Sequence, residues 1–288
     1  MLNDQSIIDV IRARYSCRTY QNTPIAQPLQ QQLADFVGAH AVGPMGTHVR
    51  LLLVAATEED QQALKGLSTY GFIKDATGFI LGAIPRGDFN QEDFGYVMEH
   101  AILYATSLGL GTCWLGGTFA KSRFAAKLEL REDELLPAVT ATGHCAAKRR
   151  ILESLIRQQA NADHRLPWER LFFDGAFGVP LKRDAAGPFA TVLEMVRIGP
   201  SASNKQPWRI VRAGTGWHLF LQRTPGYAKR NQMLLDIADM QRIDMGIAMC
   251  HFALTAQELG LHGTWTIQEP DIVKPDALTE YIASWEES

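Results

Sequence analysis

Two stretches of this chain, about 150 residues apart, repeat the same order of leucine, glycine and tryptophan. One runs from Leu108 to Trp114 and the other from Leu259 to Trp265. Apolar residues at helical spacing precede both, so each stretch is predicted to follow a helix capped by glycine. These residues are Val97, Ala101, Ala105 and Leu108 in the first half and Ala248, Phe252, Ala256 and Leu259 in the second. A repeat of this length has the size of a domain, which predicts two similar modules rather than an array of short repeats.

A second pair of segments supports the duplication. Gly43-Pro44 leads into the apolar run of residues 48–54, and Gly199-Pro200 leads into that of residues 207–211. Glycine and proline followed by an apolar run are typical of a turn that feeds a strand. Both halves are therefore predicted to contain sheets as well as helices.

The middle of the chain differs from both modules. Residues 148–187 are rich in charged and turn residues, and no periodicity is clear from Gly175 to Gly187. This composition is typical of a connector. We therefore predict an α+β fold in which each module is a sheet packed by helices. The predicted boundaries are 1–155 for the first module, 156–187 for the connector and 188–288 for the shorter second module.

Composition excludes several classes of function. The 28 basic residues of the 288-residue chain are matched by 31 acidic ones, so its net charge of -3 gives no reason to expect a nucleic-acid partner. The longest apolar runs have the length of strands and are far shorter than the roughly 20 residues that span a bilayer. A soluble protein without a membrane partner is expected.

The termini and cysteines predict a cytoplasmic protein. The N-terminus lacks the basic region and apolar run of a secretory signal. The four cysteines include no CxxC motif, which favours reduced thiols, and no set of residues has the spacing of a metal site. His144 and Cys145 are adjacent, but neighbours in a strand point to opposite faces, so a catalytic thiol is not expected. No catalytic side chain is predicted.

The first candidate site motif is the alternation of Arg14, Ser16 and Arg18 after a predicted helix at Ile7–Ala13. In an extended segment these side chains could project to one side. Two guanidinium groups and a hydroxyl would offer donors to a phosphate and to the oxygens of a ring. The alternative is a solvated basic helix end, which the helix dipole alone would favour.

The second motif runs from Pro200 to Trp208 and is more specific. Small residues at Ser201 and Ala202 would let a ligand approach the backbone, and the amides of Asn204 and Gln206 offer both donors and acceptors. A planar ring with carbonyl and imide groups needs that mixture. The alternative is a polar turn before an edge strand, with Trp208 buried in the core.

Two weaker motifs could complete such a site. Leu115, Gly116 and Gly117 follow Trp114 and could bring bare backbone N–H groups to a ligand, although glycine-rich turns often only turn the chain. The basic cluster of Lys148, Arg149 and Arg150 could close on a phosphate or could be the solvated face of the connector.

Together, these motifs resemble the FMN-dependent nitroreductase family, in the type that fuses two modules. The resemblance rests on Arg14-x-Ser16-x-Arg18, the glycine-rich stretch of residues 109–117, the segment of residues 143–150 and the motif of residues 200–208. It covers nearly the whole chain. In that family a homodimer binds FMN at its interface, with the Arg-x-Ser-x-Arg motif from one subunit and the Pro-Ser-x-x-Asn motif from the other.

The resemblance implies an intrachain pseudo-dimer with one composite FMN site. The first half carries residues 43–48 where the second motif should stand, and the second half lacks Arg-x-Ser-x-Arg. A monomer is therefore expected to be sufficient. The implied FMN-binding residues are Arg14, Ser16 and Arg18 for the phosphate, ribityl chain and pyrimidine edge, Lys148 and Arg150 for the phosphate, Leu115, Gly116 and Gly117 near the flavin N5, and Pro200, Ser201, Ala202, Asn204 and Gln206 along the ring.

The implied activity is that of an oxidoreductase. NADH or NADPH would reduce FMN, and a flat small-molecule acceptor such as a nitroaromatic or a quinone would then take the hydride. The alternative is a flavin-binding sensor or storage protein without turnover. A flavin-free structural protein is a third hypothesis, which a large separation of Arg14, Arg18 and Asn204 would favour.

Overall fold

The chain folds into two sheets flanked by helices, in a computed structural model that describes residues 4–57, 59–60, 62–147, 164–227 and 238–288. The first half contains α1 (Ile7–Ala13), α2 (Gln27–Ala39), β1 (Arg50–Ala55), β2 (Gly78–Pro85), α3 (Asn90–Ser107), β3 (Gly111–Leu115), α4 (Lys121–Leu128), β4 (Glu134–Leu135) and β5 (Val139–Gly143). The second half contains β6 (Phe172–Asp174), α5 (Phe189–Arg197), β7 (Trp208–Ala213), β8 (Gly216–Gln222), α6 (Met240–Glu258), β9 (Gly263–Thr266) and β10 (Thr279–Glu287). Short 3₁₀ turns lie at Trp168–Arg170 and Ala202–Asn204.

The two sheets repeat one strand order. The first sheet has the path β1-β2-β5-β3, and the second continues from β7 as β8-β10-β9. All neighbours on these two paths are antiparallel. The same order in both halves, each with a long helix after its second strand, confirms the predicted α+β fold of two similar modules.

The helix ends match the sequence repeat. Gly109 and Gly260 follow α3 and α6 with φ of 77° and 70°, the left-handed conformation that glycine adopts cheaply. The next residue then donates its backbone N–H back into the helix: Leu110 to the Ala105 carbonyl at 3.0 Å and Leu261 to the Ala256 carbonyl at 2.9 Å. Both predicted glycine caps are therefore confirmed, and each turns the chain into the strand that carries Trp114 or Trp265.

Segment 164–187 packs with the second module, although the sequence assigned residues up to 187 to a connector. Its strand β6 pairs in parallel with β7. Leu171, Phe172 and Leu181 are almost fully buried in the same core cluster as Trp208 and Phe252. The module boundaries themselves stay a prediction.

The modules meet where α3 crosses α6. A Cβ atom added at Gly95 would overlap the backbone carbonyl of Ile243, and one added at Gly246 would overlap that of Glu92. Ile243 stands three residues before Gly246, as Glu92 does before Gly95. The contact is thus reciprocal, as a two-fold related pair of helices would make it. No helix in the described part of the chain is long and apolar enough to cross a membrane.

Gly246→Ala is expected to destabilise the protein by about 1–3 kcal/mol or more, because the new methyl group has no room at the helix crossing. Gly38→Ala is the matched control, since Gly38 lies in α2 with nothing within 4 Å of an added Cβ. That substitution should be neutral or stabilise by up to about 1 kcal/mol. Urea unfolding of both variants measures the difference. Equal effects would mean that the crossing does not need glycine.

Candidate functional site

A cavity of about 340 Å³ lies between the two modules. This volume is within the range of small-molecule sites. The first module lines it with Ser16, Arg18, Trp114, Gly116, Gly117 and Thr118, and the second with Pro200, Ser201, Ala202, Ser203, Tyr227, Met240, Ile243, Asp244 and Ile247. Seven of the thirteen predicted site residues are among these: Ser16, Arg18, Gly116, Gly117, Pro200, Ser201 and Ala202.

Ser16 and Arg18 reach the cavity because their segment runs beside β3 as extended chain. Ser16 forms a parallel bridge with Thr112, and the Cys17 N–H donates to the Thr112 carbonyl at 2.9 Å. Alternate residues of an extended chain point to opposite sides, so Cys17 enters the core while its two neighbours face the cavity. Nη1 of Arg18 donates to the Ser16 carbonyl at 3.4 Å, and within the described residues no carboxylate pairs with it. The charge of Arg18 is therefore available to an anion.

Arg14 does not line the cavity. Its side chain is only 7% exposed and places Nε 3.8 Å from Oε1 of the fully buried Glu99. The other Glu99 oxygen, Oε2, accepts the indole N–H of Trp114 at 2.7 Å, and the Trp114 ring does line the cavity. Arg14 therefore contacts the carboxylate that orients a wall residue.

His251 shares Glu99 with Arg14. Its Nδ1 lies 2.9 Å from the Met195 carbonyl, so this nitrogen must carry hydrogen. Its Nε2 lies 3.0 Å from Glu99 Oε1. Two lone pairs cannot face each other at that distance, so one proton lies between imidazole and carboxylate. This buried cluster joins α1, α3, β3 and α6 behind the cavity wall.

The glycine-rich stretch begins where β3 ends. Leu115, the last residue of β3, turns its side chain into the core and is 3% exposed. Gly116 and Gly117 follow on the cavity wall. A Cβ atom at Gly116 would collide with the side chain of Met240 on α6, so glycine allows the second module to close over this backbone.

The 200–206 loop divides into a cavity part and a structural part. Pro200, Ser201 and Ala202 line the cavity, whereas Asn204 and Gln206 do not. The amide of Asn204 donates to the His164 carbonyl at 2.9 Å, and Gln206, which is 2% exposed, accepts the Leu166 N–H at 2.8 Å. These two amides connect the 200–206 loop to residues 164–166 by hydrogen bonds. Lys148 and Arg150, the remaining predicted ligands, lie outside the described residues.

Sequence reasoning missed the face of α6. Met240, Ile243, Asp244 and Ile247 follow the spacing of one side of a helix and form much of the second module's wall. That spacing is visible in the sequence, but it is also typical of a helix that faces the core. Thr118, Ser203 and Tyr227 carried no signal that would have identified them.

The comparison with protein families matches residues 6–256 to the family described as "Putative TM nitroreductase". This match spans most of the chain. The protein belongs to this nitroreductase family.

One solved structure shows the same fold over nearly the whole chain. A protein from Thermotoga maritima, described as a "putative nitroreductase", matches with a TM-score of 0.61 and 15% identity, over 98% of this chain and 94% of its own. A nitroreductase family protein from Clostridium difficile gives a TM-score of 0.40 and 20% identity over 57% of this chain and 94% of its own. A nitroreductase with bound FMN from Bacteroides fragilis gives a TM-score of 0.39 and 19% identity over 51% of this chain and 92% of its own. No match was found among curated proteins.

Two aspartates of this chain occupy equivalent positions but have different partners. Asp93 and Asp244 stand two residues before Gly95 and Gly246 on the crossing helices. Both oxygens of Asp93 are used, since Oδ1 accepts the Met45 N–H at 2.9 Å and Oδ2 the Thr47 N–H at 2.8 Å. Asp244 accepts one bond, from the Ala202 N–H to Oδ1 at 2.9 Å.

The remaining oxygen of Asp244 is buried without a hydrogen-bond partner among the described residues. Asp244 as a whole is 1% exposed, and this burial raises its pKa well above the ordinary value of 3.8, since the single hydrogen bond only partly offsets it. The carboxyl group is therefore favoured in its neutral form.

In the other half, larger side chains take two of the matching positions. Tyr96 follows Gly95 as Ile247 follows Gly246, and Met45 lies in the loop bound to Asp93. Both Tyr96 and Met45 pack against the core of the second module.

Asp244→Asn is expected to stabilise the protein more at about pH 7 than at about pH 4. The folded chain retains a proton that the unfolded chain releases above the ordinary pKa of aspartate, so Asp244 costs stability as the pH rises toward its raised pKa. Each pKa unit corresponds to about 1.4 kcal/mol, or roughly 2–4 °C in the melting temperature.

Thermal unfolding across this pH range measures the gain, with Asp9→Asn as the control because the Asp9 side chain is 77% exposed. A constant difference between Asp244→Asn and the parent protein would contradict a neutral Asp244.

Proposed function

We propose that this nitroreductase is an FMN-dependent oxidoreductase, which passes hydride from NADH or NADPH to a flat acceptor such as a nitroaromatic or a quinone. The observation that carries the proposal is the shared cavity to which Ser16 and Arg18 contribute from one module and Pro200, Ser201 and Ala202 from the other. Family membership supports the reaction class. The donor and the acceptor are part of the proposal.

The chemistry of the cavity wall fits a flavin. Met240, Ile243, Ile247 and the Trp114 ring form apolar surfaces that suit a planar ring system. Arg18 supplies a positive charge, and Ser16 and Ser201 supply hydroxyl groups at the same cavity. Gly116 and Gly117 have no side chain to cover their backbone on this wall. A planar ring with one polar edge and one apolar edge matches a wall that offers both polar groups and apolar surfaces.

FMN, when bound, would supply the hydride transfer itself. Arg18 would bind the polar edge of the ring and stabilise negative charge that develops there on reduction. The backbone of Gly116 and Gly117 would orient the ring, and Lys148 and Arg150 are proposed to bind the phosphate. Arg14 would act through Glu99 and Trp114, because its own side chain is buried against that carboxylate.

The arrangement also supports a monomer as the working unit. Both walls of the cavity come from one chain, and in the other half Met45 and Tyr96 pack against the core of the second module. We therefore propose one FMN site per chain. The competing hypothesis, a sensor or storage protein, shares this site and differs only in turnover.

Arg18→Ala is expected to weaken FMN binding by about tenfold to a hundredfold, since a charge-assisted contact is worth roughly 1.5–3 kcal/mol. Arg12→Ala is the control, because Arg12 lies on the exposed face of α1 with its side chain 59% exposed. Fluorescence titration of flavin measures both affinities. Unchanged affinity in Arg18→Ala would remove Arg18 from the site.

Steady-state kinetics separates the enzyme from the binding protein. The FMN-loaded chain should oxidise NADH or NADPH continuously when a quinone or a nitroaromatic is present. Tight FMN binding without such turnover would contradict the oxidoreductase and support the sensor or storage protein.

A further inference from the structure

Oδ2 of Asp244 has no hydrogen-bond partner among the residues that the structure describes. Its counterpart in the other module shows that the same helix position can be fully satisfied, because Asp93 accepts two backbone N–H groups. In the second module the loop supplies only the Ala202 N–H. Asp244 lines the cavity, and its Oδ2 is buried with no donor among the described residues.

An unmade hydrogen bond of this kind costs stability. A buried polar group without a partner loses its hydration and gains nothing in return, which costs about 1–3 kcal/mol. At a ligand cavity, a bound ligand can supply the missing hydrogen-bond partner, which explains why such a group is present. Asp244 is also 1% exposed and lines the cavity, so a ligand bound there is the available partner from outside the chain.

The direction of the missing hydrogen bond follows from the surroundings. Oδ1 is occupied as an acceptor by the Ala202 N–H, and no cation lies within ion-pair distance of Asp244 among the described residues. The nearby charge that acts on it is another carboxylate, Asp239. These conditions favour a neutral carboxyl group with its hydrogen on Oδ2, which makes Asp244 a donor.

We infer that Asp244 donates a hydrogen bond from Oδ2 to an oxygen of the planar ring bound in the cavity. The inference rests on the proposed function and deepens it by naming a specificity-determining contact. A carbonyl or nitro oxygen is the matching chemistry. The pyrimidine dione of the flavin carries such an oxygen, and so does a quinone or nitroaromatic acceptor.

Two substitutions separate the donor from the rest of the carboxyl group. Asp244→Asn keeps an oxygen for the Ala202 N–H and an N–H₂ group for the ligand, whereas Asp244→Leu keeps the approximate size and removes both. Asp93→Asn is the matched control in the other module. There the new amide would face a backbone N–H of Met45 or Thr47, with donor against donor.

The first measurement uses the chain without ligand. Asp93→Asn should lower the melting temperature clearly, whereas Asp244→Asn should leave it unchanged or raise it. An equal loss in both variants would show that Oδ2 of Asp244 already has a protein partner, which overturns the inference. This comparison stands even if Asp244→Leu does not fold.

The second measurement titrates FMN and riboflavin, which share the ring but differ in the phosphate. If the flavin carries the oxygen, Asp244→Leu should weaken both by about tenfold, and Asp244→Asn by less than about threefold. If the acceptor carries it, flavin affinity is unchanged, and 4-nitrobenzoate binds the FMN-loaded Asp244→Leu protein about tenfold more weakly. Asp93→Asn should change none of these affinities.

Two results would overturn the inference at this stage. One is unchanged binding of FMN, riboflavin and 4-nitrobenzoate in Asp244→Leu. The other is an Asp244→Asn protein as impaired as Asp244→Leu, since the amide retains the donor. A parent chain that binds neither flavin would instead contradict the proposed function, and the unfolding comparison would still decide whether Oδ2 lacks a protein partner.

Discussion

The close crossing of α3 and α6 at Gly95 and Gly246 is the contact on which the rest of the structure depends. Each glycine admits a backbone carbonyl of the opposite helix, which no side chain would allow. Glycine in a helix interior costs about 1 kcal/mol relative to alanine, so its presence at both positions indicates a gain from packing. The crossing brings the first turns of α6 against the end of β3, and the cavity forms there.

The two halves kept one architecture and diverged in how they use it. The strand order, the glycine helix caps and the aspartates before the crossing recur in both. In one half, both oxygens of Asp93 accept N–H groups of its loop, and Met45 and Tyr96 pack against the core of the second module. In the other half, the loop bonds Asp244 once and leaves a cavity. The duplicated fold thus gives the same aspartate position different hydrogen-bond partners in its two halves.

The duplicated fold was predictable because it depends on local signals. Two helices are specified by apolar residues at helical spacing before Leu108 and Leu259, with glycine at each helix end. The family motifs predicted that Ser16 and Arg18 lie beside Pro200–Ala202. The roles of other residues depend on tertiary contacts. Arg14 shares an alternating motif with Arg18, yet it meets Glu99 from another helix. Asn204 and Gln206 look like ligands, but their amides bind backbone groups of residues 164–166, which no local pattern reveals.

In the proposed function, one chain builds one composite flavin site from both modules. Isothermal titration with FMN, combined with sedimentation of the loaded protein, tests it most directly. We expect one FMN bound per chain and a protein that remains a monomer when FMN is bound. Two FMN per chain, binding only in a dimer, or no binding would contradict it.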